Sequence, residues 1–181
     1  MFQSKEPTAR SAPAPGQAIQ AGLQQYLTFV LSGEVFGIGI LAIKEIIEYA
    51  QPTSVPMTPA YVRGVINLRG AVVPVLDLAV RFGRAAAAVS RRTCIVIVEI
   101  EAGRERFDVG VIVDAVNAVV DIPDADVQPP PSLGGYAQLD FIHGMGKVDA
   151  RFVMLLDVNK VLAQQEVAAL SEMSASPVAG A

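Results

Sequence analysis

The sequence contains one cysteine, one histidine and no tryptophan among its 181 residues. The lone Cys94 excludes an intramolecular disulfide, and with His143 as the only histidine there is no His/Cys cluster at metal-ligand spacing. A metal would need carboxylates alone. The nearest set, Asp121, Asp124 and Asp126, has the spacing of the first turn of a short helix, where the helix dipole favours negative charge. We predict no metal and no cofactor.

Long apolar runs are also missing. Stretches such as Val109–Val113 stop at charged residues, far below the roughly 18 apolar residues of a membrane-spanning helix. Residues 1–22 show no apolar core flanked by basic residues and a small-residue cleavage site, so no secretory signal is visible. We therefore expect a cytoplasmic protein that does not itself cross a membrane.

Basic residues are too few for a nucleic-acid-binding surface. The chain has 14 Lys and Arg against 18 Asp and Glu, a net charge of -4, and a pI of about 5.0. Binding to phosphates depends on a basic stripe. Arg81, Arg84, Arg91 and Arg92 lie close in sequence, but a solvated loop explains them more simply than a binding patch does. We predict no nucleic-acid partner.

Sequence motifs for catalysis are missing too. There is no Gly-x-Ser-x-Gly, and His143 lies in an apolar run that favours a packing or turn role. Gly37-Ile-Gly39 and Gly144-Met-Gly146 lack the third glycine of a phosphate loop and are typical of strands whose backbones approach closely. Asp77 and Asp157 follow apolar strands, where capping of the next turn or helix explains both. No catalytic residue is predicted, which favours a non-enzyme that works by contact.

What the chain does have is apolar content. Hydrophobic residues make up 52%, charged residues 18%, and the mean hydropathy is +0.43, so disorder over most of the length is excluded. Residues 1–23 and 171–181 are exceptions, poor in large apolar side chains, and we expect disordered tails there. The folded unit is predicted over 24–170, ending in a helix from Val158 to Leu170 capped by Asp157.

Short runs rich in Val, Ile and Phe, separated by Gly, Pro, Asn and Asp, predict an all-β fold with about ten strands. The segment 40–47 has apolar residues at both helical and strand spacing, so we expect a helical turn that leads into a strand. The predicted strands are Gln25–Leu31, Val35–Gly39, Lys44–Tyr49, Gly64–Asn67, Ala71–Asp77, Thr93–Ile100, Arg106–Val113, Ala115–Val120, Phe141–Lys147 and Phe152–Leu156.

The two halves of the folded unit resemble each other. Phe36-Gly-Ile-Gly-Ile40 is matched 71 positions later by Phe107-Asp-Val-Gly-Val111. Arg63-Gly64 followed by a strand ending at Asp77 is echoed by His143-Gly144 followed by a strand ending at Asp157. Each copy supplies about five short strands, which suits a small barrel, and two such barrels could share an apolar layer. A chance match of short apolar words is the alternative.

The segment Asn67-Leu-Arg-Gly70 reads as a tight turn. Gly70 can take a positive φ, and the Asn67 side chain can bond to its own backbone, so turn formation accounts for both. Turn formation does not account for Arg69. An arginine at a rigid tip offers a planar fork of donors to a carboxylate or carbonyl, which favours recognition over an inert solvated tip.

This turn lies within Arg63-Gly-Val-Ile-Asn-Leu-Arg-Gly-Ala-Val-Val-Pro-Val-Leu-Asp-Leu78, which closely resembles the CheW family of chemotaxis adaptors. Ile43-Lys-Glu-Ile-Ile47 upstream and Phe107–Asp114 downstream fit the same family, and the resemblance covers about 25–170. It implies two intertwined subdomains, each a five-stranded SH3-like β-barrel, packed around a shared hydrophobic core with a short C-terminal helix.

The resemblance also implies a function. Family members bridge the cytoplasmic tip of transmembrane chemoreceptors and the regulatory domain of the histidine kinase CheA, so contact with the membrane is only through receptors. A related chemosensory pathway, such as pilus motility, is the alternative output. The protein-binding residues expected from the family are Arg69 and Glu45 first, then Ile43, Ile46, Asn67 and Gly70, with Val111 and Val113 as weaker candidates that periodicity alone places in the core.

Overall fold

All ten predicted strands occur in the structure, a computed structural model that describes residues 22–86, 88–130, 140–162 and 164–175. The predicted helical turn is a 3-10 turn at Ile40–Ala42 that leads directly into a strand. The two-residue strand at Val127–Gln128 was not predicted, because it is too short to show alternation. The strands are β1 (Leu23–Leu31), β2 (Glu34–Gly39), β3 (Ile43–Glu48), β4 (Val62–Leu68), β5 (Ala71–Asp77), β6 (Cys94–Ala102), β7 (Glu105–Val113), β8 (Ala115–Pro123), β9 (Val127–Gln128), β10 (Ile142–Val148) and β11 (Arg151–Leu156). The helices are α1 (Leu78–Arg81) and α2 (Gln164–Ala175).

The strands form two sheets, and each sheet curls into an SH3-like barrel. The first barrel has the strand order β8-β1-β2-β11-β10-β9, and the second has the order β3-β6-β7-β5-β4. The all-β prediction of two barrels with a short C-terminal helix is therefore confirmed. The two sequence copies do not each form their own barrel. The first barrel takes β1 and β2 from the first copy and its other strands from the second, while the second barrel does the reverse.

The buried apolar residues form three clusters that follow this architecture. The second barrel has its own interior around Val75, Ile95 and Ile97, and the first barrel has one around Ile122 and Leu155. The largest cluster takes residues from both sheets and from α2, and it fills the space between the barrels. This shared core confirms the predicted apolar layer. Its fully buried members include Phe29, Ile38, Leu76, Leu78 and Ile100.

The duplication is real in space, although its register differs from the sequence match. In each barrel, a strand of one copy runs parallel to a strand of the other, so that Leu155 pairs with Gly37 and Val75 pairs with Gly110. The structural equivalent of Gly37 is therefore Gly110, 73 positions later, which is the difference of the two numbers. Counted from the equivalent glycine to the turn, the hairpin of β6 and β7 is two residues longer than that of β1 and β2, because Gly110 lies five residues after Glu105 and Gly37 lies three residues after Glu34. The sequence match had aligned the hairpin ends instead.

The C-terminal helix begins and ends later than predicted. Residues 158–162 form a turn whose Val158, Val161 and Leu162 are buried in the shared core. Asp157 does act as a cap, but of this turn, because its Oδ1 accepts the Asn159 N–H at 3.0 Å. The helix α2 then extends to Ala175 because Leu170 and Met173 continue its apolar stripe against the core.

This helix corrects the predicted C-terminal boundary. Residues 171–175 are helical and do not belong to a tail, while 176–181 lie outside the described residues. At the other end, Leu23 already pairs with Pro123, and the Gly22 carbonyl accepts the Asp124 N–H at 2.7 Å. The remainder of the predicted N-terminal tail, 1–21, lies outside the described residues.

Gly64 allows the segment before β4 to approach the backbone of β4 closely at Thr53. Thr53 exchanges two backbone hydrogen bonds with Val65, both 2.9 Å long. Gly64 has φ +139°, and a Cβ there would overlap the carbonyl oxygen of Thr53. The Arg63-Gly64 dipeptide therefore marks a close approach between the backbones of β4 and Thr53. In the first barrel, Gly144 allows a close approach to the backbone of Gln128.

We expect Gly64→Ala to lower the free energy of unfolding by more than about 3 kcal/mol, because the added carbon meets backbone that cannot move without breaking the Thr53 hydrogen bonds. Urea unfolding followed by circular dichroism measures this change. Gly39→Ala is the matched control, because Gly39 has φ -54° and a Cβ there would meet open space. Equal losses of stability in the two variants would contradict this role of Gly64.

Candidate protein-binding site

The turn between β4 and β5 has the geometry that its sequence predicts. Arg69 and Gly70 have φ values of +52° and +84°, which is the pattern of a type I′ hairpin turn. The Asn67 Oδ1 accepts the Gly70 N–H at 2.8 Å and closes the turn. Asn67 and Gly70 thus shape the turn, and Arg69 extends from its tip.

Arg69 and Glu45, the first two predicted site residues, are bonded to each other. The Nη1 of Arg69 donates to Oε1 of Glu45 at 2.9 Å, and Nη2 donates to Oε2 at 2.8 Å. This is a bidentate pair, in which the carboxylate matches the planar fork of the guanidinium. The Arg69 side chain is still 78% exposed, while that of Glu45 is 25% exposed. The pair therefore presents charge and unused donors to an incoming molecule.

The pair joins the two edges of the second barrel's sheet. Glu45 lies on β3 at one edge, and Arg69 lies at the end of β4 at the other edge. The curl of the sheet brings these edges together, so that residues 24 apart in sequence meet. An exposed ion pair contributes only about 0–1 kcal/mol to stability. The fold therefore does not depend on it, which leaves the two side chains available for recognition.

The two isoleucines predicted to line the same surface divide between surface and core. Ile46 is 44% exposed and lies next to Glu45. Ile43 packs against the shared core, on the far side of a bulge that shifts the register between Ile43 and Glu45. The extra residue of a bulge re-aims the side chains that follow it. Of the two, Ile46 is therefore the surface residue. It follows Glu45 along β3 but points to the opposite face of the strand, because Glu45 pairs with Ile97 of the second barrel's interior and Ile46 pairs with Val96 of the shared core.

The two weaker candidates do not lie at the surface. Val111 is 4% exposed and Val113 is 0% exposed, and both belong to the shared core. Their inclusion among the contact residues is therefore wrong. The physical reason is that β7 is the central strand of the second sheet, covered on one face by the barrel interior and on the other by the shared core.

Charges beside the site are already compensated. The ammonium of Lys44 lies 2.8 Å from Asp108 and 3.1 Å from Glu99, on strands β7 and β6. The hydrogen bonds that the Lys44 ammonium donates to these carboxylates, first to Asp108 and then to Glu99, raise the pKa of Lys44 above its ordinary value. Lys44 thus connects the edge strand β3 to β6 and β7. Of the two cations Lys44 and Arg69, Arg69 has the more exposed side chain.

The two most exposed large apolar side chains among the described residues were not predicted. Leu41 is 94% exposed in the 3-10 turn before β3, and Met57 is fully exposed with φ +63°. Leu41 had a weak signal in the sequence, since Ile40-Leu-Ala42 has no polar residue although it forms a turn.

Within the described ranges, no group of three or more His, Cys, Asp or Glu is placed to hold a metal. Among the same residues, no helix is long and apolar enough to cross a membrane.

A double-mutant cycle on Arg69→Ala and Glu45→Ala should give a coupling free energy of about 0.3–1 kcal/mol that decreases with added salt. Urea unfolding of the wild type, both single variants and the double variant measures it. Arg104→Ala is the control, since Arg104 is exposed on a neighbouring turn and takes part in none of the salt bridges found within the described residues. A coupling above about 2 kcal/mol would instead assign the pair a structural role.

Comparison with known proteins agrees with this architecture. The family model for the CheW-like domain matches residues 25–166. The chemotaxis protein CheW of Klebsiella aerogenes is 31% identical over 153 residues, which is 84% of this chain and 90% of that protein. Protein FrzA of Myxococcus xanthus is 29% identical over 154 residues, covering 82% of this chain and 93% of that protein.

A solved structure has the same fold. The crystal structure of the scaffolding protein TtCheW from Thermoanaerobacter tengcongensis superposes with a TM-score of 0.68 at 32% sequence identity. The match covers 76% of this chain and 91% of that chain. The sequence and structural matches span nearly the whole domain and share its two-barrel architecture, and the chain therefore belongs to the CheW family.

Proposed function

We propose that this chain is a non-catalytic adaptor that couples transmembrane chemoreceptors to the histidine kinase CheA in a bacterial chemosensory complex. Membership of the CheW family supports a scaffold in chemotaxis signalling. The observation that carries the finer proposal is the Arg69–Glu45 pair, which is bidentate and 78% exposed on its arginine side, with the exposed Ile46 next to Glu45 along β3. This combination of a rigid charged tip and an apolar neighbour suits recognition of a protein surface.

In the proposed contact, apolar side chains supply affinity and the charges supply orientation. Ile46 loses water against an apolar partner surface, whereas the Arg69 donors not used by Glu45 are free to meet a carbonyl or carboxylate. Because Arg69 is already fixed by Glu45, little further side-chain entropy is lost when a partner binds. Asn67 and Gly70 contribute by holding the tip rigid.

An adaptor with two barrels has two ends to offer. Single contacts need not be tight, since about 800 Å² per partner can correspond to micromolar affinity, or about -8 kcal/mol. When receptor, adaptor and kinase are held together in an array at the inner membrane, the second contact becomes intramolecular, and avidity can increase by about 100-fold or more. The chain then transmits the receptor state to the kinase by position, without a reaction of its own.

We expect Arg69→Ala, Glu45→Lys and Ile46→Asp each to weaken binding to the CheA regulatory domain or to the receptor tip by at least about tenfold. Isothermal titration calorimetry with each purified partner measures this. The matched controls are Arg104→Ala for charge and Val119→Asp for apolar exposure, since Val119 is 50% exposed on the first barrel. Unchanged binding of both partners by all three site variants would reject the proposed site. An equal loss of affinity in the two control variants would reject its placement at Arg69, Glu45 and Ile46.

The output pathway has two candidates. The relatives named chemotaxis proteins support flagellar chemotaxis, and the match to Protein FrzA, which is of similar extent, supports a related chemosensory pathway equally well. Deletion of the gene separates them. Loss of swimming responses with normal surface motility supports flagellar chemotaxis, and the opposite pattern supports the alternative. Restoration by the wild-type gene but not by the Arg69→Ala form links the phenotype to the site.

A further inference from the structure

A partly buried polar cluster contacts the first turn of α2, and the proposed contact site does not use it. The Arg81 Nη2 lies 3.3 Å from Oε2 of Glu166, and its guanidinium carbon lies 5.3 Å from the centre of the Tyr61 ring. Burial, followed by a hydrogen bond to Glu166, raises the pKa of Tyr61 to about 12, so its hydroxyl stays protonated and donates to that carboxylate. We call Tyr61, Arg81 and Glu166 the anchor.

The anchor is half-buried and contains one buried donor without a partner in the described part of the chain, a cost to the fold that suggests a specific role. The Nε of Arg81 is buried and has no hydrogen-bond partner within the described structure. A buried donor without a partner destabilises the folded state, and a well-packed apolar residue would avoid that cost. Buried polar groups of this kind can instead fix one arrangement of an element among several. Here the element is α2, which also buries Val167 and Leu170 in the shared core.

The other end of α2 contacts β5 close to the Asn67–Gly70 turn. The Ser174 hydroxyl donates to the Val72 carbonyl oxygen at 3.3 Å. Val72 pairs with Asn67 across the hairpin, and Asn67 is the residue whose side chain closes the turn on Gly70. A continuous set of contacts therefore leads from the anchor through α2 to the pair of strand residues that supports Arg69.

We infer that α2 is a brace for the Asn67–Gly70 turn and that Arg81 is the positioning residue at the end of α2 far from this turn. Partner affinity at the Arg69–Glu45 site then depends on α2 being docked against the barrels. The effect on affinity rests on the proposed function, whereas the effect on the turn does not. A two-residue turn at a sheet edge gains stability from such a brace because it has few contacts of its own, and local stability follows contact density.

Two variants test the brace from its two ends. Arg81→Met removes the anchor with an apolar side chain of similar reach, and Ser174→Ala removes the hydrogen bond to Val72. Arg84→Met is the matched control. Arg84 lies only three residues after Arg81, and it forms a 2.8 Å ion pair with Glu34. The first measurement is hydrogen exchange of the Gly70 amide in the free chain, because that amide is bonded to Asn67 in the turn.

We expect Gly70 exchange to become about tenfold faster in Arg81→Met and in Ser174→Ala, and to stay at the wild-type rate in Arg84→Met. Binding of the purified CheA regulatory domain should weaken about threefold to tenfold in the same two variants. Arg81→Lys should restore part of both effects, since it keeps the charge opposite Glu166.

The outcomes separate the two proposals. Unchanged Gly70 exchange in both Arg81→Met and Ser174→Ala overturns the brace, whatever the binding result. Faster exchange with unchanged kinase affinity overturns the link between α2 and the site. A wild-type chain that binds neither kinase domain nor receptor tip contradicts the proposed function, and the exchange measurement then tests the brace alone.

Discussion

The parallel pairing of strands from opposite copies is the constraint on which this structure depends. Leu155 beside Gly37 and Val75 beside Gly110 lock each barrel together from both halves of the chain. Neither copy can complete a barrel alone, so the apolar layer between the barrels and the barrels themselves have to form together. Parallel pairing needs long connections, and here the other barrel supplies them. The fold is thereby one cooperative unit, although it looks like two small domains.

This architecture leaves the ends of the barrels free. The shared core buries the inner faces, and hairpin turns such as Asn67–Gly70 lie at the outer ends, where sequence can change without disturbing packing. A scaffold gains from this division. The core fixes the distance between its two ends, and each end can be adapted to a different partner. The exposed Arg69–Glu45 pair fits this division, since such a pair adds little stability where it lies.

Local sequence patterns predicted local structure well. Strand positions followed from apolar runs, and the Asn67–Gly70 turn followed from two residues with defined turn chemistry. Strand exchange could not be predicted this way, because it depends on which strands pair across the core. The contact between Arg69 and Glu45 was likewise invisible, since it depends on the curl of a sheet. The burial of Val111 and Val113 was available from the sequence, because β7 is apolar on both faces, and the family resemblance outweighed that signal.

The start of α2 shows how the core overrides local preference. Residues 158–162 carry apolar side chains at helical spacing, yet they form a turn whose three apolar residues close the shared core. A helix that started at Val158 would change the direction in which those side chains point and shift Glu166 along the barrel. The turn instead delivers Glu166 to Arg81 and Ser174 to Val72, which are 3.3 Å contacts at both ends of one helix. The position of α2 is thus set by what its two ends contact, and those contacts connect a half-buried ion pair to the hairpin that carries the Asn67–Gly70 turn.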